Sequence, residues 1–298
     1  MTLPVFTHPA CLKHDPGNDH PETSKRLRAV LDRLAGERGV ALTEAAPATP
    51  EPLLAVHSQT YLGTVEAMSA RGGGALFLDT VVSRDSWTAA IGGAGASLAA
   101  VDHAINGNSH SFAAIRPPGH HALAGKGMGF CLINNVVVAA RHAQAGGAHR
   151  VLIIDWDVHH GNGTQALVET DPSIRYVSLH QYPWYPGTGA AEERGVGNVF
   201  NVPRGPGKSP SLYLADLWAA IVAATIDWTP DLVLISAGFD AMAGDPLGGF
   251  TLEPNHYAEW TVRLREHLPS VGIVGLMEGG YAPDRLAEGV AAHLRALA

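Results

Sequence analysis

The sequence contains few cysteines and no excess of positive charge. Its two cysteines, Cys11 and Cys131, lie far apart and form no Cys-x-x-Cys pair, which excludes a disulfide framework and a thiolate zinc site. Aspartate and glutamate number 28 against 20 lysines and arginines, giving a formal net charge of −8. This balance argues against binding nucleic acid through bulk charge, so we predict no nucleic-acid partner.

Long apolar runs are also lacking in the sequence. No segment reaches the length of a transmembrane helix, and the first residues, "MTLPVFTHPACLKHD", lack the basic and apolar regions of a signal peptide. We therefore expect a cytoplasmic protein without a membrane partner. The 298 residues are 46% hydrophobic and 16% charged, with neither repeats nor low-complexity segments. This composition predicts one α/β domain over residues 1–298.

What the sequence does contain is a regular alternation of apolar segments and helical patterns. The apolar segments predict strands over residues 111–115, 150–155, 174–180, 231–238 and 271–277. Helical spacing predicts helices over residues 23–38, 58–70, 83–106, 133–146, 211–227, 255–268 and 284–297. Such alternation is typical of a parallel sheet with helices on both faces.

A polar, glycine-rich segment follows each predicted strand. In chain order these segments are "RPPGHHALAGKGMGF", "WDVHHGNG", "QYPWYPGTG", "AGFDAMAGDPLGG" and "EGGY". In parallel sheets, ligands bind beyond the carboxyl ends of the strands. We therefore expect these five loops to converge on one site.

Two of the loops carry residues suited to a metal ion. Asp155, Asp157 and His159 share one face of an extended chain, because side chains alternate along a strand. Asp240 occupies the matching position after another strand. One histidine and two aspartates leave a coordination position open, as in catalytic zinc sites, although carboxylate-rich ligation would also accept Fe²⁺.

Several motifs occur in an order that resembles a known family. They are "RPPGHHA", "GMGFCLINNVVVAA", "DWDVHHGNGTQ", "YPGTG", "SAGFDAMAGDPLGG" and "EGGY". Together they resemble the histone deacetylase family, specifically its class II branch and the bacterial histone-deacetylase-like and acetylpolyamine amidohydrolases. The resemblance covers nearly the whole chain. It implies an arginase/deacetylase-like three-layer fold, with a mostly parallel central sheet of about eight strands.

The resemblance also implies a zinc-dependent hydrolase that removes acetyl or other short acyl groups from the lysine side-chain amine. It places zinc on Asp157, His159 and Asp240. The family's tandem histidines correspond to His120, mainly electrostatic, and His121, the principal general base and acid.

Three further residues complete the catalytic machinery that the resemblance implies. Tyr281 is similar to the family's hydroxyl donor to the carbonyl oxygen. Asp155 would pair with His120, and Asn162 with His121. Because class I relatives carry aspartate where Asn162 stands, we predict that His121 stays neutral to lower pH here than in those relatives.

A second cation is implied beside the zinc. Relatives hold K⁺ there, and its ligands correspond to Asp155, Asp157, His159, Ser178 and Leu179. Two cations would offset the charge of the crowded carboxylates.

Five residues resemble the family's substrate-binding positions. Gly129, Phe130 and Tyr185 are similar to the walls of the acyl-lysine tunnel, although most relatives carry phenylalanine where Tyr185 stands. Leu247 would lie at the rim, where vertebrate polyamine deacetylase carries an acidic residue that selects cationic substrates. Asp79 resembles an acidic loop residue that binds the substrate backbone.

Two alternative functions remain open from the sequence. An acetylpolyamine amidohydrolase would perform the same chemistry on a small free amine, and Leu247 argues for acyl-lysine instead. A pseudoenzyme that only binds acylated partners is the second alternative. The metal ligands, both histidines and Tyr281 are all present, which favours catalysis.

Overall fold

The computed structural model describes residues 2–107 and 109–298. The strands in these ranges are β1 (Leu3–Thr7), β2 (Val40–Glu44), β3 (Gly73–Phe77), β4 (Thr80–Ser83), β5 (His110–Ala113), β6 (Val151–Asp155), β7 (Ile174–Gln181), β8 (Val199–Arg204), β9 (Leu232–Ala237) and β10 (Gly272–Met277). The helices are α1 (Ser24–Ala35), α2 (Pro50–Leu54), α3 (Gln59–Ala70), α4 (Ser86–Gly107), α5 (Asn135–Ala145), α6 (Asn162–Val168), α7 (Pro210–Thr225), α8 (Pro254–His267) and α9 (Pro283–Leu297), with a short 3₁₀ helix at Pro9–Leu12.

Eight of the strands form one sheet, in the order β2-β1-β5-β10-β9-β6-β7-β8. Every neighbouring pair in it is parallel, whereas β3 and β4 form a separate antiparallel hairpin. The five strands predicted from the sequence correspond to β5, β6, β7, β9 and β10, with ends within two residues of the prediction. This architecture confirms the predicted fold class.

Helices cover both faces of the sheet. Ser111 and Phe112 are neighbours on β5, so their side chains point to opposite faces. The Ser111 hydroxyl donates to Ala100 O of α4 at 2.7 Å, while the Phe112 ring lies 5.8 Å from the His293 ring of α9. Helices α4 and α9 therefore lie on opposite sides, and α5 packs with α4 as α8 packs with α9.

The central strands are buried on both faces. Every residue of β6, β9 and β10 is buried, which explains why these strands read as continuous apolar runs. Edge strand β2 is half-buried to exposed, and β8 contains a proline and an asparagine, so neither shows that pattern. In the described part of the chain, no helix is long and apolar enough to cross a membrane.

One helix begins later than predicted. The pattern predicted a helix over residues 83–106, capped by Ser83 or Asp85, whereas α4 begins at Ser86, directly after Asp85. Ser83 instead ends β4, where it pairs with Gly73 of the hairpin. The Ser83 N–H donates to the Ser86 hydroxyl at 2.6 Å, which links the end of the strand to the start of the helix.

Candidate active site

Three predicted metal ligands come together beyond the ends of β6 and β9. One ligand atom from each of Asp157, His159 and Asp240 lies within 4.8 Å of the other two. His159 Nδ1 is 3.1 Å from Asp157 Oδ1 and 3.1 Å from Asp240 Oδ2. All three residues are buried. This group of one imidazole and two carboxylates suits a divalent cation.

The backbone around this group holds the carboxylates in place. Asp240 Oδ1 accepts the Val158 N–H at 2.8 Å, and Asp157 Oδ2 accepts the Gly279 N–H at 2.9 Å. A Cβ atom at Gly238 would lie 2.1 Å from Asp157 Oδ2, and one at Gly279 would lie 2.1 Å from Asp240 Oδ2. Only glycine at these two positions leaves room for the carboxylates.

The two buried carboxylates of this group are stabilised by a positive charge close to them. Burial and the Asp157 carboxylate raise the pKa of Asp240 to about 7. Burial opposes a charge on His159, but hydrogen bonds to Asp157 and Asp240 and their charges raise its pKa to about 10. Without a metal ion, a proton on His159 therefore compensates the carboxylates. A bound cation would replace that proton, so the residues present fit the implied metal.

Asp155 lies apart from this group. Strand β6 ends at Asp155, and the chain bends after it instead of continuing in the extended form that the shared-face prediction assumed. Asp155 Oδ2 lies 3.1 Å from His120 Nδ1 and accepts the Tyr176 hydroxyl at 3.0 Å. Asp155 Oδ1 accepts the Asp157 N–H at 3.2 Å. Its carboxylate thus serves His120, as the family resemblance implies.

The tandem histidines occupy different electrostatic environments. Their rings lie 4.0 Å apart. Burial opposes a charge on His120, but the Asp157 and Asp155 carboxylates outweigh it and raise its pKa to about 10. His121 Nδ1 lies 2.8 Å from Asn162 Oδ1. Burial, with the charges of His120 and His159, holds the pKa of His121 well below its usual value. The pKa values of the two imidazoles are thus shifted in opposite directions, which favours the charged form of His120 and the neutral form of His121.

A buried carboxyl that the sequence analysis did not identify supports the tandem histidines. Glu278 Oε2 accepts the Gly119 N–H at 2.6 Å and the His120 N–H at 3.2 Å, and burial raises the pKa of Glu278 to about 7. Glu278 is the first residue of the "EGGY" motif, so the sequence marked it as part of a motif. The sequence did not indicate its contacts with Gly119 and His120 of another loop.

The backbone of the same motif is bound by Arg26, a second residue that the sequence did not predict to contact the site. Arg26 donates to Gly280 O and Glu278 O, each at 2.5 Å. Its guanidinium carbon lies 4.7 Å from the centre of the Tyr281 ring. Burial raises the pKa of Tyr281 well above its usual value, so the Tyr281 hydroxyl is protonated and can donate a hydrogen bond.

All five predicted substrate-binding residues line one cavity of about 250 Å³. They are Asp79, Gly129, Phe130, Tyr185 and Leu247. The same cavity is lined by His121, His159 and Tyr281, and also by Trp184 and Pro246, which the sequence analysis did not single out. The Trp184 indole donates to Leu247 O at 2.9 Å, which joins two loops at this cavity.

Of the five residues predicted to bind K⁺, Asp155, Ser178 and Leu179 lie on adjacent strands, and Asp157 and His159 follow β6. Asp155 of β6 pairs in register with Ser178 of β7, and Leu179 follows directly. The Ser178 hydroxyl lies 2.9 Å from His180 Nδ1. Hard cations are held by oxygen ligands, and Asp155 and Ser178 offer side-chain and backbone oxygens on paired strands.

Comparisons with known proteins agree with these motifs. Residues 20–297 match the family described as "Histone deacetylase domain". The chain is 37% identical to a histone deacetylase-like amidohydrolase from Pseudomonas aeruginosa, over 95% of this chain and 77% of that protein.

The similarity extends to a human protein and to a solved structure. The chain is 36% identical to the human polyamine deacetylase HDAC10, over 93% of this chain and 44% of that protein. The crystal structure of the HDA15 HD domain superimposes with a TM-score of 0.93 at 36% identity, covering 98% of this chain and 90% of that one. This similarity confirms the arginase/deacetylase-like fold.

Proposed function

Because the chain belongs to the histone deacetylase family, we propose that it is a zinc-dependent amidohydrolase that removes acetyl or other short acyl groups from lysine side chains. One observation carries the proposal: His121, His159 and Tyr281 line the same cavity as the predicted tunnel residues. A base, a metal ligand and a hydroxyl donor thus face the same small volume.

Asp157, His159 and Asp240 would hold the zinc ion. Their fit rests on the buried, negatively charged donor set, which without a metal ion carries a proton on His159. The chemistry that zinc supplies when bound is that of a Lewis acid, which polarises an amide carbonyl and makes water more acidic.

His121 is the proposed general base and acid. With its Nδ1–H donated to Asn162 Oδ1 at 2.8 Å, the ring has its Nε2 lone pair free to take a proton from water. The depressed pKa of His121 keeps that nitrogen unprotonated at neutral pH. The same Nε2 then returns the proton to the departing amine nitrogen.

His120 is a fixed positive charge in this scheme. Its Nδ1–H points to Asp155 Oδ2 at 3.1 Å, and its pKa of about 10 keeps the ring charged at neutral pH. An imidazolium stabilises negative charge that develops in the transition state. Tyr281 adds a neutral hydroxyl that donates to the carbonyl oxygen of the substrate as it becomes negative.

The cavity favours acyl-lysine over a free polyamine. A polyamine carries further ammonium groups that need carboxylates at the rim, and among the described residues lining the cavity only Asp79 is acidic. Asp79 Oδ1 already accepts the Gly129 N–H at 3.1 Å and the Thr80 hydroxyl at 2.9 Å. The apolar Leu247 at this cavity supports the same choice. Polyamine deacetylation, which the human relative's name describes, is the second candidate function.

Two further features belong to the proposal. K⁺ would be held by Asp155, Asp157, His159, Ser178 and Leu179, and the register of β6 with β7 supports this assignment. The family match over residues 20–297 supports one catalytic domain for the whole chain, which we propose acts in the cytoplasm.

A substrate panel tests the proposal. Acetyl-lysine and longer acyl-lysine peptides, N-acetylputrescine and N-acetylspermidine are assayed with purified protein, after chelation and after zinc is restored. We expect turnover of acyl-lysine peptides that chelator abolishes and zinc restores. Faster turnover of the polyamines would select the second candidate. Binding of acylated peptides without turnover at any zinc concentration would identify a pseudoenzyme.

A further inference from the structure

The β3–β4 hairpin makes two side-chain contacts with the wall of the substrate cavity. The Thr80 hydroxyl accepts the Phe130 N–H at 3.0 Å and donates to Asp79 Oδ1 at 2.9 Å. Asp79 Oδ1 also accepts the Gly129 N–H at 3.1 Å. Two side chains from the hairpin thus bind two consecutive backbone N–H groups of a distant loop.

The loop that receives these contacts has an unfavourable backbone conformation. Gly129 and Phe130 have φ angles of +56° and +68°, and among the described residues Phe130 is the only non-glycine with a positive φ. The Cys131 N–H donates to Met128 O at 3.0 Å and closes the turn. Two consecutive positive φ angles define a type I′ turn, whose second central position is usually glycine.

Phenylalanine at this turn position needs outside support. A left-handed conformation is disfavoured for residues with a side chain, and the turn does not itself bind the N–H groups of its two central residues. The hairpin binds both. Thr80 is almost fully buried, with 1% of its surface exposed, so water does not compete for the Phe130 N–H.

The Phe130 side chain transmits this support to the reaction site. Its ring lies 5.7 Å from the Tyr281 ring and 4.5 Å from the His20 ring, both edge-on. Gly129 lies against the base, since a Cβ atom there would come within 2.3 Å of the His121 ring. Any relaxation of the turn therefore moves the cavity wall relative to both Tyr281 and His121.

We propose that Thr80, together with Asp79, is a positioning residue that holds the Gly129–Phe130 turn left-handed and so sets the width of the substrate cavity. Thr80 acts through Phe130, because Thr80 does not line the cavity. Asp79 accepts a hydrogen bond from the Gly129 N–H within the protein, in addition to any contact that it makes with substrate. The catalytic readout of the proposal rests on the function proposed above.

Thr80→Val is the direct test, because valine keeps the shape of threonine and removes its hydroxyl. Losing a buried hydrogen-bond acceptor corresponds to about a tenfold loss in binding. We expect KM for an acetyl-lysine peptide to rise about tenfold and kcat to change less than threefold, since the wall binds substrate and transition state alike. Thr80→Ser, which keeps the hydroxyl, should restore KM to within about twofold of the wild type.

Thr64→Val is the matched control. Thr64 is exposed on α3, and its hydroxyl donates to Thr60 O at 2.8 Å, so this variant loses a hydroxyl hydrogen bond outside the cavity. It should leave KM unchanged. An unchanged KM in Thr80→Val, or the same rise in Thr80→Ser, would overturn the proposal.

The hydrogen bonds from the Gly129 and Phe130 N–H groups to Asp79 and Thr80 are called the clamp here. Amide hydrogen exchange tests the clamp without any substrate. The Gly129 and Phe130 N–H groups should exchange slowly in the wild type and in Thr80→Ser, and at least tenfold faster in Thr80→Val. Equal exchange rates in all three proteins would refute the clamp. If the wild type turns over no acylated amine while Thr80→Val still accelerates exchange, the proposed function fails and the clamp stands.

Discussion

Replacing Asn162 by aspartate tests the role of the base most sharply. Asn162 Oδ1 lies 2.8 Å from His121 Nδ1, and burial with two neighbouring positive charges holds the pKa of His121 well below its usual value. A carboxylate at the same distance stabilises the imidazolium and raises that pKa. The base then becomes protonated at a higher pH, so the acidic limb of the kcat/KM profile moves upward.

The size of the shift follows from the distance. Opposite charges about 4 Å apart attract by about 4 kcal/mol at an effective dielectric constant of 20, which corresponds to about 3 pH units. Residue 162 is half-buried, so solvent weakens this attraction. We therefore expect the acidic limb to move upward by about 1 to 2 pH units.

The assay is a kcat/KM profile from pH 5 to pH 9 on an acetyl-lysine peptide, with zinc content measured at each pH. Asn255→Asp is the matched control, because Asn255 is exposed on α8 and its variant introduces the same charge away from the site. That control should keep the wild-type profile. An acidic limb that stays in place in Asn162→Asp, with zinc retained, would refute the assignment of His121 as the base.

Two other substitutions have distinct expected outcomes. Tyr281→Phe removes the hydroxyl donor, so kcat should fall about 10²- to 10³-fold with little change in KM; steady-state kinetics showing near wild-type kcat would contradict that role. Glu22→Gln leaves Arg116 and Arg26 without their buried carboxylate, whose oxygens lie 2.6 Å and 2.8 Å from them. We expect urea unfolding at pH 7 to show that the free energy of unfolding falls by about 3 to 5 kcal/mol, and a loss below about 1 kcal/mol would show that these two ion pairs contribute little.

The parts of the fold that the sequence predicts are those with a strong local pattern. Strands β6, β9 and β10 are buried on both faces, so they read as apolar runs. Because the strands are parallel, their polar carboxyl ends had to meet at one edge. This rule predicted that Asp240 lies near Asp157 and His159, although more than 80 residues of sequence separate them.

The parts that the sequence does not predict depend on contacts between distant segments. Glu22 and Arg116 are 94 positions apart, and neither position has a local pattern that indicates an ion pair. The β3–β4 hairpin is short and glycine-rich, and no sequence pattern predicted it. Thr80 gains its role only from a turn 50 residues later.

The electrostatic difference between the tandem histidines also depends on the folded structure. His120 and His121 are adjacent in the sequence, but one faces the Asp155 carboxylate and the other the Asn162 amide. Their pKa values therefore move in opposite directions. The family resemblance implied these partners, whereas burial and the charges around each ring could be assigned only from the structure.

Metal content tests the central claim most directly. Wild-type protein, Asp157→Asn, His159→Ala, Asp240→Asn and the control Asn255→Asp are purified with zinc and dialysed, and bound metal is measured by mass spectrometry. We expect a single zinc ion per chain in the wild type and the control, and at least a tenfold loss of affinity in each of the other three variants. Zinc retained at full stoichiometry and affinity in Asp240→Asn or His159→Ala would contradict the proposed metal site.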